Sequence, residues 1–587
     1  MQSLRFILFS LFFFTIKSIS FGQTIKSFSQ NPAEFFADFS KFMETADKKA
    51  AKELLERFEP IWMSKLNGSQ QVAVIGIANG MLKKRMTAFP NFNNYILTIL
   101  CWSDGNKSIQ QFLDWHECAG KTMAKATTGK FDQFLQSTQD LFKSNALYQS
   151  NAISWYASRG DYTFSYDSIP KVHFETGDIR GVTRGDSTLI KFTSGTLHPL
   201  DYKFYGNKGK VLWTRNNLAE EEAHATLTRY VLPVKSTKFS ADTATLHFPK
   251  YFKEPLLGQL TEKLSDNVEG RDATYPRFTN YNNSFAIRDI YKNVDYVGGI
   301  TIQGKQLIGS GTAQNQATFT FNREGKPFLI ARSMSFLIED KSLQSSSSSV
   351  KFFIEEDSIV HPGLTFRYLD EKKELYLLRK QEGIAKTPYF DSYHQLDMDF
   401  ELLTWKTDEP TIRFKAIAGA VESKALFESA DYFREQRYIE IQGIDNESPL
   451  LVLRKLADKL GRDEFSVKEA VNWYRVDETQ VKHILIRLSY LGFIIYDEEA
   501  EWVTLKPRLR KYLLAVNGRA DYDVIQFFSN VYGTDNNAEL SLLNGDLRMY
   551  GVEKIYLSDS QNVVIYPKNQ ELVVHKNRNF DFAGRIM

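Results

Sequence analysis

The chain has 587 residues, of which 43% are hydrophobic and 25% charged, so it has the composition of several folded domains rather than of a disordered polymer. Its 73 lysines and arginines nearly balance its 71 aspartates and glutamates, for a formal net charge of +2. This balance argues against a general polyanion binder. Aromatic residues make up 14% of the chain, and such enrichment favours half-buried β-strands.

The first 22 residues have the order of a secretory signal peptide. A positive side chain at Arg5 precedes the apolar run Phe6–Ile16, and a small-residue region follows up to Gly22. The run is shorter than the roughly 20 apolar residues that a membrane-spanning helix needs. We therefore expect residues 1–22 to be removed. The mature chain, with no predicted transmembrane helix, is expected in the periplasm, at the outer membrane or on the cell surface.

Cys101 and Cys118 are the two cysteines of the sequence. Export would place them in an oxidising compartment, where they can pair as a disulfide. The alternative is two separate buried thiols, because free cysteine packs as a small apolar residue. The sequence leaves both interpretations open, since it does not give the Cα separation.

Residues 30–156 are predicted to form a helical domain, because apolar residues recur at helical spacing between short polar breaks. After an opening helical stretch that includes Phe35 and Trp62, the predicted helices are Val72–Met86, Asn93–Cys101, Ile109–Met123 and Phe131–Leu147.

Over residues 160–445 the hydrophobic period is 2, and we predict a β-rich region. Short runs separated by glycines favour a β-solenoid or β-stack, although a sandwich has strands of similar spacing. Residues 298–311, with five glycines, form the clearest solenoid-like run. Within this region Glu254–Leu264 is predicted to be helical, and Ser345–Ser349 is predicted to be an exposed turn or short loop.

The predicted elements of residues 448–515 are, in chain order, helices Leu450–Leu460, Val467–Tyr474 and Glu478–Leu491 and strands Phe493–Tyr496 and Trp502–Leu505. Gly461 and Gly492 are predicted to end the first and third helices, and Ser466 with Glu469 forms a capping box at the start of the second. In this order of three helices and two strands, the segment resembles a winged-helix module.

This resemblance raises the hypothesis of a nucleic-acid-binding regulator, in which the third helix enters the major groove. The basic residues that would serve it are Lys482, His483, Arg487, Lys506, Arg508, Arg510 and Lys511. The turn between the strands carries four carboxylates that would repel phosphates, at Asp497, Glu498, Glu499 and Glu501. Export would also remove DNA from reach, and winged helices can serve as protein-docking modules because fold alone does not fix function.

Residues 520–587 are predicted to return to short β-strands, interpreted as further solenoid coils. The sequence stops at Met587 within such a run, and a stack that ends without a polar cap is unstable. We therefore expect this chain to be the N-terminal part of a longer protein.

Three phrases of the sequence stand out together: Asp357–Gly363, Pro388–His394, and Leu557–Asn562 with the ending Phe580–Ile586. They resemble large exported proteins of unknown function from Bacteroidetes-type bacteria. The resemblance runs over most of residues 30–587. It implies an envelope or surface location and a β-helical body, and it supplies no catalytic residues.

Asp397, Asp399 and Glu401 alternate with apolar residues, which on a strand would place three carboxylates on one face. Closely spaced carboxylates can act as acid and base in glycan cleavage. Nearby aromatic residues that would stack on sugar rings are Tyr389, Tyr393 and Trp405. The alternative is a half-buried strand with a solvated outer face, which is the ordinary antiparallel pattern. We favour that alternative and assign no catalytic residue.

No cofactor or metal site is predicted. Trp115–Cys118 begins like a zinc-protease motif, but Gly120 stands where the second histidine belongs. Gly309 and Gly311 lack the third glycine and the following helix of a dinucleotide fingerprint.

The favoured hypothesis is an exported, non-enzymatic structural or interaction protein of the bacterial cell envelope, mainly β with helical domains. Its expected partner is an envelope protein, a glycan or a lipid, and not a nucleic acid. The alternative is a secreted glycan-active enzyme on a β-helix that uses the acidic cluster at residues 397–401.

Overall fold

The computed structural model describes residues 25–265, 273–415, 417, 422–442, 447–532, 535–557 and 563–587. The predicted signal peptide and most of Leu557–Asn562 lie outside these residues. Of the described residues, those within Met1–Leu212, Ala225–Ala241 and Glu262–Glu269 form one compact unit. Those within Trp213–His224, Asp242–Thr261 and Gly270–Met587 form a second compact unit.

The first unit begins with helices that bury aromatic side chains such as Phe35, Phe39 and Trp115, as the helical spacing predicts. They are α1 Pro32–Ala46, α2 Lys48–Ser64, α3 Gly68–Lys83, α4 Asn93–Asp104, α5 Ile109–Lys125 and α6 Thr128–Ser144. The predicted helices are therefore confirmed, although the last ends early because Asn145 adopts a left-handed conformation with φ 55°. In the part of the chain that the structure describes, no helix combines the length and apolarity needed to cross a bilayer.

The strands as far as residue 263 range from 3 to 14 residues in length. They are β1 Ala146–Gln149, β2 Ser154–Ala157, β3 Tyr162–Asp167, β4 Ile169–Val182, β5 Ser187–His198, β6 Lys203–Asn207, β7 Lys210–Leu212, β8 His224–Leu227, β9 Arg229–Pro233, β10 Lys238–His247 and β11 Leu256–Lys263. Strands β10 and β11 are divided between the residues of the two units. Within the first unit β3, β4, β5, β6 and β9 are antiparallel neighbours in that order.

The second unit continues with strands that pair in the same way. They are β12 Arg277–Asn280, β13 Phe285–Tyr291, β14 Val294–Gln303, β15 Gln306–Ser310, β16 Ala317–Arg323, β17 Lys326–Ser333, β18 Ser335–Ile338, β19 Ser342–Ile354, β20 Asp357–Leu369, β21 Glu374–Leu378, β22 Tyr389–Asp391, β23 Leu396–Asp399, β24 Leu402–Lys406, β25 Thr411–Lys415 and β26 Glu422–Ser429. After the helical segment described below come β30 Gln526–Tyr532, β31 Asn536–Ser541, β32 Leu547–Met549, β33 Ile555–Tyr556, β34 Val564–Pro567, β35 Leu572–Val574, β36 Phe580–Asp581 and β37 Gly584–Ile586.

The predicted mainly β fold with helical regions is confirmed, but the predicted solenoid is wrong for these strands. Stacked solenoid coils pair in parallel. Here β14, β16, β17, β19 and β20 are consecutive antiparallel neighbours. Residues 298–311, which looked most solenoid-like, belong to the antiparallel hairpin β14–β15, whose turn contains Gly304 at φ +57°. Glycine occupies this position because other residues rarely adopt such a conformation.

Two local predictions are also wrong. Glu254–Leu264 is not helical, because Leu256 and Leu260 are buried while Leu257 is exposed, which is the period of a strand. Ser345–Ser349 is not an exposed turn but lies within β19, which has paired neighbours on both sides. Its buried Ser345 hydroxyl is accommodated by a 2.7 Å hydrogen bond to the Ser347 carbonyl.

The segment between β26 and β30 is helical, and its predicted elements are confirmed. Gly461 ends the first helix at φ +69°, and Ser466 and Glu469 form the predicted capping box. The elements are α7 Glu435–Gln442, α8 Pro449–Leu460, β27 Glu464–Ser466, α9 Val467–Tyr474, α10 Glu478–Tyr490, β28 Ile494–Asp497, β29 Trp502–Leu505 and α11 Pro507–Val516. Residues 449–516, with a three-stranded sheet in the order β27–β29–β28, are called the helical module below.

Candidate functional site

The three predicted carboxylates do not share one exposed face. β23 ends at Asp399, so Glu401 lies beyond the strand, where it accepts a hydrogen bond from the Ile417 N–H. Asp397 is buried at 4% exposure, although the alternating pattern placed it on the solvated side. The side of β23 that was expected to face water is covered at Asp397 by Lys506 and by Arg508 of the helical module.

Asp397 lies at the centre of a buried ion cluster that joins the sheet to the helical module. Lys506 Nζ donates to Asp397 Oδ1, and Arg508 Nη1 donates to Asp397 Oδ2 at 2.6 Å. Arg508 also donates to Glu428 on β26. Glu428 accepts two further hydrogen bonds from Arg437, at 2.9 and 3.0 Å. We call these five residues the seam.

The carboxylates of the seam are paired with cations, and burial and pairing together shift the pKa values of Glu428, Arg508 and Lys506. Burial alone would raise the pKa of Glu428, but Arg508 and Arg437 outweigh it and hold that pKa below its ordinary value. Burial would lower the pKa of Arg508, yet Glu428 and Asp397 raise it. Burial lowers the pKa of Lys506 in spite of Asp397. Carboxylates held in this way are not available as a general acid or base.

Gly492 fits the end of α10 against the seam. Its φ of +78° is in the left-handed region, which explains the predicted helix stop. A Cβ atom at this position would also lie 2.6 Å from Asp397 Oδ2 and 3.0 Å from Arg508 Nη1. The turn and the seam therefore both require glycine at position 492. The local sequence indicates only the turn.

Asp399 forms an ion pair with Arg379, a second buried cation. Arg379 Nε donates to the Phe400 carbonyl at 3.0 Å, and Nη1 donates to the Lys386 carbonyl at 2.7 Å. No sequence pattern identified Arg379 as a site residue, because Asp399 and the two carbonyl acceptors lie in other parts of the chain.

The aromatic residues predicted to stack on sugars are core residues instead. Tyr389, Tyr393 and Trp405 are buried. Tyr389 stacks on Phe400 with ring centroids 4.4 Å apart, and Trp405 Nε1 donates to the Glu409 carbonyl at 3.2 Å. They cannot present a face to a glycan.

Most of the basic residues that a nucleic-acid reader would use are paired within the protein. Arg487 donates to the Glu440 carbonyl at 2.7 Å, and His483 is exposed. The ion pairs, in chain order, are Lys482 with Glu478 and Glu501, Lys506 and Arg508 with Asp397, Arg510 with Asp458 and Asp463, and Lys511 with Asp431.

The acidic turn between β28 and β29 contacts the sheet. Glu499 accepts a hydrogen bond from the Met334 N–H at 2.6 Å, and Asp497 accepts one from Gln316 Nε2 at 3.3 Å. Burial raises the pKa of Glu499. This turn is therefore a point of attachment to β16–β18, rather than a free wing.

Beside these contacts, two sheet surfaces face each other across an open cleft. On the helical module, Phe465, Tyr496 and Val503 point into the core. Alternate residues of a strand point to opposite faces, so their neighbours line the cleft. These lining residues are Glu464, Ser466, Ile495, Asp497, Trp502 and Thr504.

The opposite wall of the cleft is a face of β14, β16, β17, β19 and β20. Strand register sets its side chains in rows across the sheet. One row is Val297, Thr318, Arg332 and Ser349, and a second is Ile330, Lys351 and Val360. Sheets that pack directly bury apolar faces about 10 Å apart. These two faces mix polar and apolar side chains, and the space between them remains open.

The cleft contains two adjoining cavities of about 770 and 500 Å³. They share Gln316, Arg332, Ala500 and Trp502. Their volumes are in the range of small-molecule sites, roughly 300–1,000 Å³. Trp502 is 38% exposed, in contrast to the buried tryptophan at position 405.

Cys101 and Cys118 are both free thiols, so the structure contains no disulfide between them. They lie on different helices, α4 and α5, and Cys118 Sγ lies 3.3 Å from the Ser165 carbonyl oxygen. Burial raises the pKa of Cys118 to about 12, which makes the thiol unreactive at neutral pH.

Over the described residues, no group of three or more histidine, cysteine, aspartate or glutamate side chains is placed to hold a metal ion. His116, from the segment that begins like a zinc-protease motif, is buried and lies 2.7 Å from the Tyr95 hydroxyl. Burial lowers its pKa to about 4.

Family models, curated proteins and solved structures give no match to this chain. The resemblance to exported Bacteroidetes-type proteins and the winged-helix assignment therefore stay predictions. The residues themselves offer a closed seam of paired charges and an open cleft in which Trp502 and Arg332 are exposed.

Proposed function

We propose that this chain is an exported, non-enzymatic binding protein of the bacterial cell envelope, with a winged-helix-type module fixed on its sheet for docking. The observation that carries the proposal is the state of Lys506 and Arg508. These cations follow the acidic turn, where a nucleic-acid reader would use them on phosphates, yet both are buried against Asp397.

The acidic turn supports the same conclusion. A winged helix that reads DNA needs its third helix and its wing free to reach phosphates. In this protein Glu499 and Asp497 contact the sheet, and Lys482 is paired with Glu501. The module is thereby attached through the elements that would otherwise approach a duplex.

The carboxylates at 397–401 give no support to glycan cleavage. An acid and a base for glycoside hydrolysis must flank the scissile bond in a site open to substrate. Asp397 is buried with two cations, and Asp399 is paired with Arg379. We expect the wild type to show no glycan-depolymerising activity. Replacing Asp399 by Asn and Glu401 by Gln should therefore leave the result of that assay unchanged.

Export rests on the order of charge, apolar run and small residues at positions 1–22. The direct test is fractionation of the native host, with N-terminal sequencing and intact mass of the mature protein. The proposal predicts an N-terminus near Gln23 in the envelope fraction. An intact Met1 in the cytoplasmic fraction would contradict export and return attention to the nucleic-acid hypothesis.

A further inference from the structure

The cleft between the helical module and the sheet has the chemistry of a saccharide site. We infer that it binds an acidic oligosaccharide, with a sugar ring against the Trp502 indole and a sugar carboxylate on Arg332. This inference rests on the proposed binding function and specifies its ligand class.

The cleft carries cations that form no ion pair with a carboxylate of the described residues. Among the described residues, Arg332, Lys351 and Lys468 take part in no ion pair, although Lys351 Nζ lies 5.1 Å from the Phe353 ring centroid. Three carboxylates also line the cleft, Glu464, Asp497 and Glu501, and the last shares Lys482 with Glu478. The lining as a whole is therefore balanced in charge. The preference for an anionic group rests on Arg332, which lies on the sheet wall and is exposed with no carboxylate partner among the described residues.

Trp502 supplies the flat apolar surface that a sugar ring needs. It lines both cavities, and the Arg462 guanidinium carbon lies 5.7 Å from its ring centroid. An exposed indole beside a polar cavity presents an apolar face with an N–H donor at its edge. On β29 it is held in place because its neighbour Val503 is buried in the module core.

The remaining lining groups match sugar hydroxyls. A side-chain amide both donates and accepts hydrogen bonds, as a hydroxyl does, so the two pair in either direction. The amides and hydroxyls of the larger cavity are Asn283, Ser284, Gln314, Asn315, Gln316, Thr318 and Ser466. Such a set is suited to a polyhydroxylated ligand more than to an apolar one.

The backbone geometry disfavours an extended peptide in the same place. Peptides commonly bind to sheets by adding a strand to an exposed edge. Here β16 is paired with β14 and β17, and β29 is the central strand of its sheet. The walls are sheet faces, although β27 and β28 are edge strands of the small sheet. Contacts made across the two faces therefore come from side chains.

Calorimetric titration of the full chain tests the inference. The probes are hexamers of galacturonate and of mannuronate, their carboxyl-reduced neutral counterparts, and hexaglutamate. We expect an acidic hexamer to bind, and its neutral counterpart to bind at least about tenfold more weakly, which corresponds to about 1.4 kcal/mol. Trp502→Ala and Arg332→Gln, which lie on opposite walls, should each weaken binding by a similar factor. Arg367→Gln, at an exposed arginine on β20 outside the cleft, is the matched control and should bind as the wild type does.

Failure to bind either acidic hexamer, unchanged affinity in both cleft variants, or equal affinity for the neutral hexamers would overturn the inference. Equal binding of hexaglutamate would overturn the saccharide assignment in favour of an acidic peptide. Thermal unfolding of each variant separates a lost contact from a lost fold. Mass spectrometry of the titrated hexamer tests the proposed function separately, because a shortened hexamer would contradict a non-enzymatic role while leaving the cleft assignment intact.

Discussion

The helical module faces the sheet in two regions, the seam and the cleft. They differ in whether their basic side chains are buried and paired or exposed and unpaired. In the seam, Lys506 and Arg508 are buried and held by Asp397 and Glu428. In the cleft, Arg332 is exposed, and no carboxylate of the described residues pairs with it. The role of a basic residue in these two regions is therefore decided by what lies opposite it in space. Position beside a wing-like turn does not decide it.

The largest expected effect comes from breaking the seam. Asp397→Asn leaves Lys506 and Arg508 buried with their shared charge partner removed, which should lower the free energy of unfolding by about 3–5 kcal/mol. Urea denaturation of the full chain measures the change. The matched control is Asp340→Asn, because Asp340 pairs with Lys250 on the surface with both side chains more than half exposed. The control should cost at most about 0.5 kcal/mol. Similar losses for the two variants would remove the distinction between seam and surface.

His394 and Asp391 form a second buried pair of titratable side chains, comparable with the pairs of the seam. His394 Nδ1 lies 2.6 Å from Asp391 Oδ2, and its Nε2 lies 2.8 Å from the Gly545 carbonyl oxygen. Both partners are acceptors, and both ring nitrogens can donate to them at once only in the imidazolium form. Burial opposes this charge, but Asp391 and Gly545 raise the pKa of His394 above its ordinary value of 6.5.

A raised pKa in the folded state stabilises the fold below the ordinary pKa and loses that effect as the pH rises through the folded value. His394→Gln should therefore cost about 1.5–3 kcal/mol at pH values below about 6 and less in alkaline solution. Urea denaturation of wild type and variant across this pH range measures the gap. A gap that is constant with pH would show that the ring is neutral.

A smaller effect is expected where the acidic turn meets the sheet. Glu499→Ala removes the acceptor of the Met334 N–H and should cost about 1 kcal/mol. Glu499→Gln keeps an acceptor and removes a carboxyl whose raised pKa makes the folded state less stable as the pH rises. The glutamine variant should thus be at least as stable as wild type at neutral pH, with a flatter pH dependence in urea denaturation. A glutamine variant as unstable as the alanine variant would contradict this account.

The smallest change in stability is expected in the open cleft. Arg332→Gln should unfold at the temperature of the wild type, because the arginine is exposed and holds no partner among the described residues. Differential scanning calorimetry measures this. A marked fall in the unfolding temperature would mean that Arg332 has a structural role, and the contrast with the seam would be lost.

Sequence patterns predicted the local elements of the helical module because their causes are local. The Ser466–Glu469 capping box and the Gly461 helix stop depend on residues within one turn of each other. The solenoid prediction failed because glycine-bounded strands of similar length occur in parallel coils and in antiparallel hairpins alike. Strand direction is set by pairing, which the period of 2 does not encode.

The sequence contained a signal for only one of the two walls of the cleft. The alternation around Val503 places Trp502 and Thr504 on the outer face of β29, and this signal was available. The opposite wall and the seam had no such signal, since Asp397 and Arg508 meet across more than a hundred residues of chain. The same missing information made Asp397 look like a solvated carboxylate.

We expect the seam to hold the helical module as a fixed part of the sheet. Hydrogen exchange of the backbone amides, followed by mass spectrometry, tests this expectation most directly. In the wild type, residues 449–516 should be protected to the same extent as β19–β21, and Asp397→Asn should lower the protection of the module alone. Fast exchange throughout the wild-type module beside a protected sheet, unchanged by Asp397→Asn, would show that the module moves independently and would contradict the account.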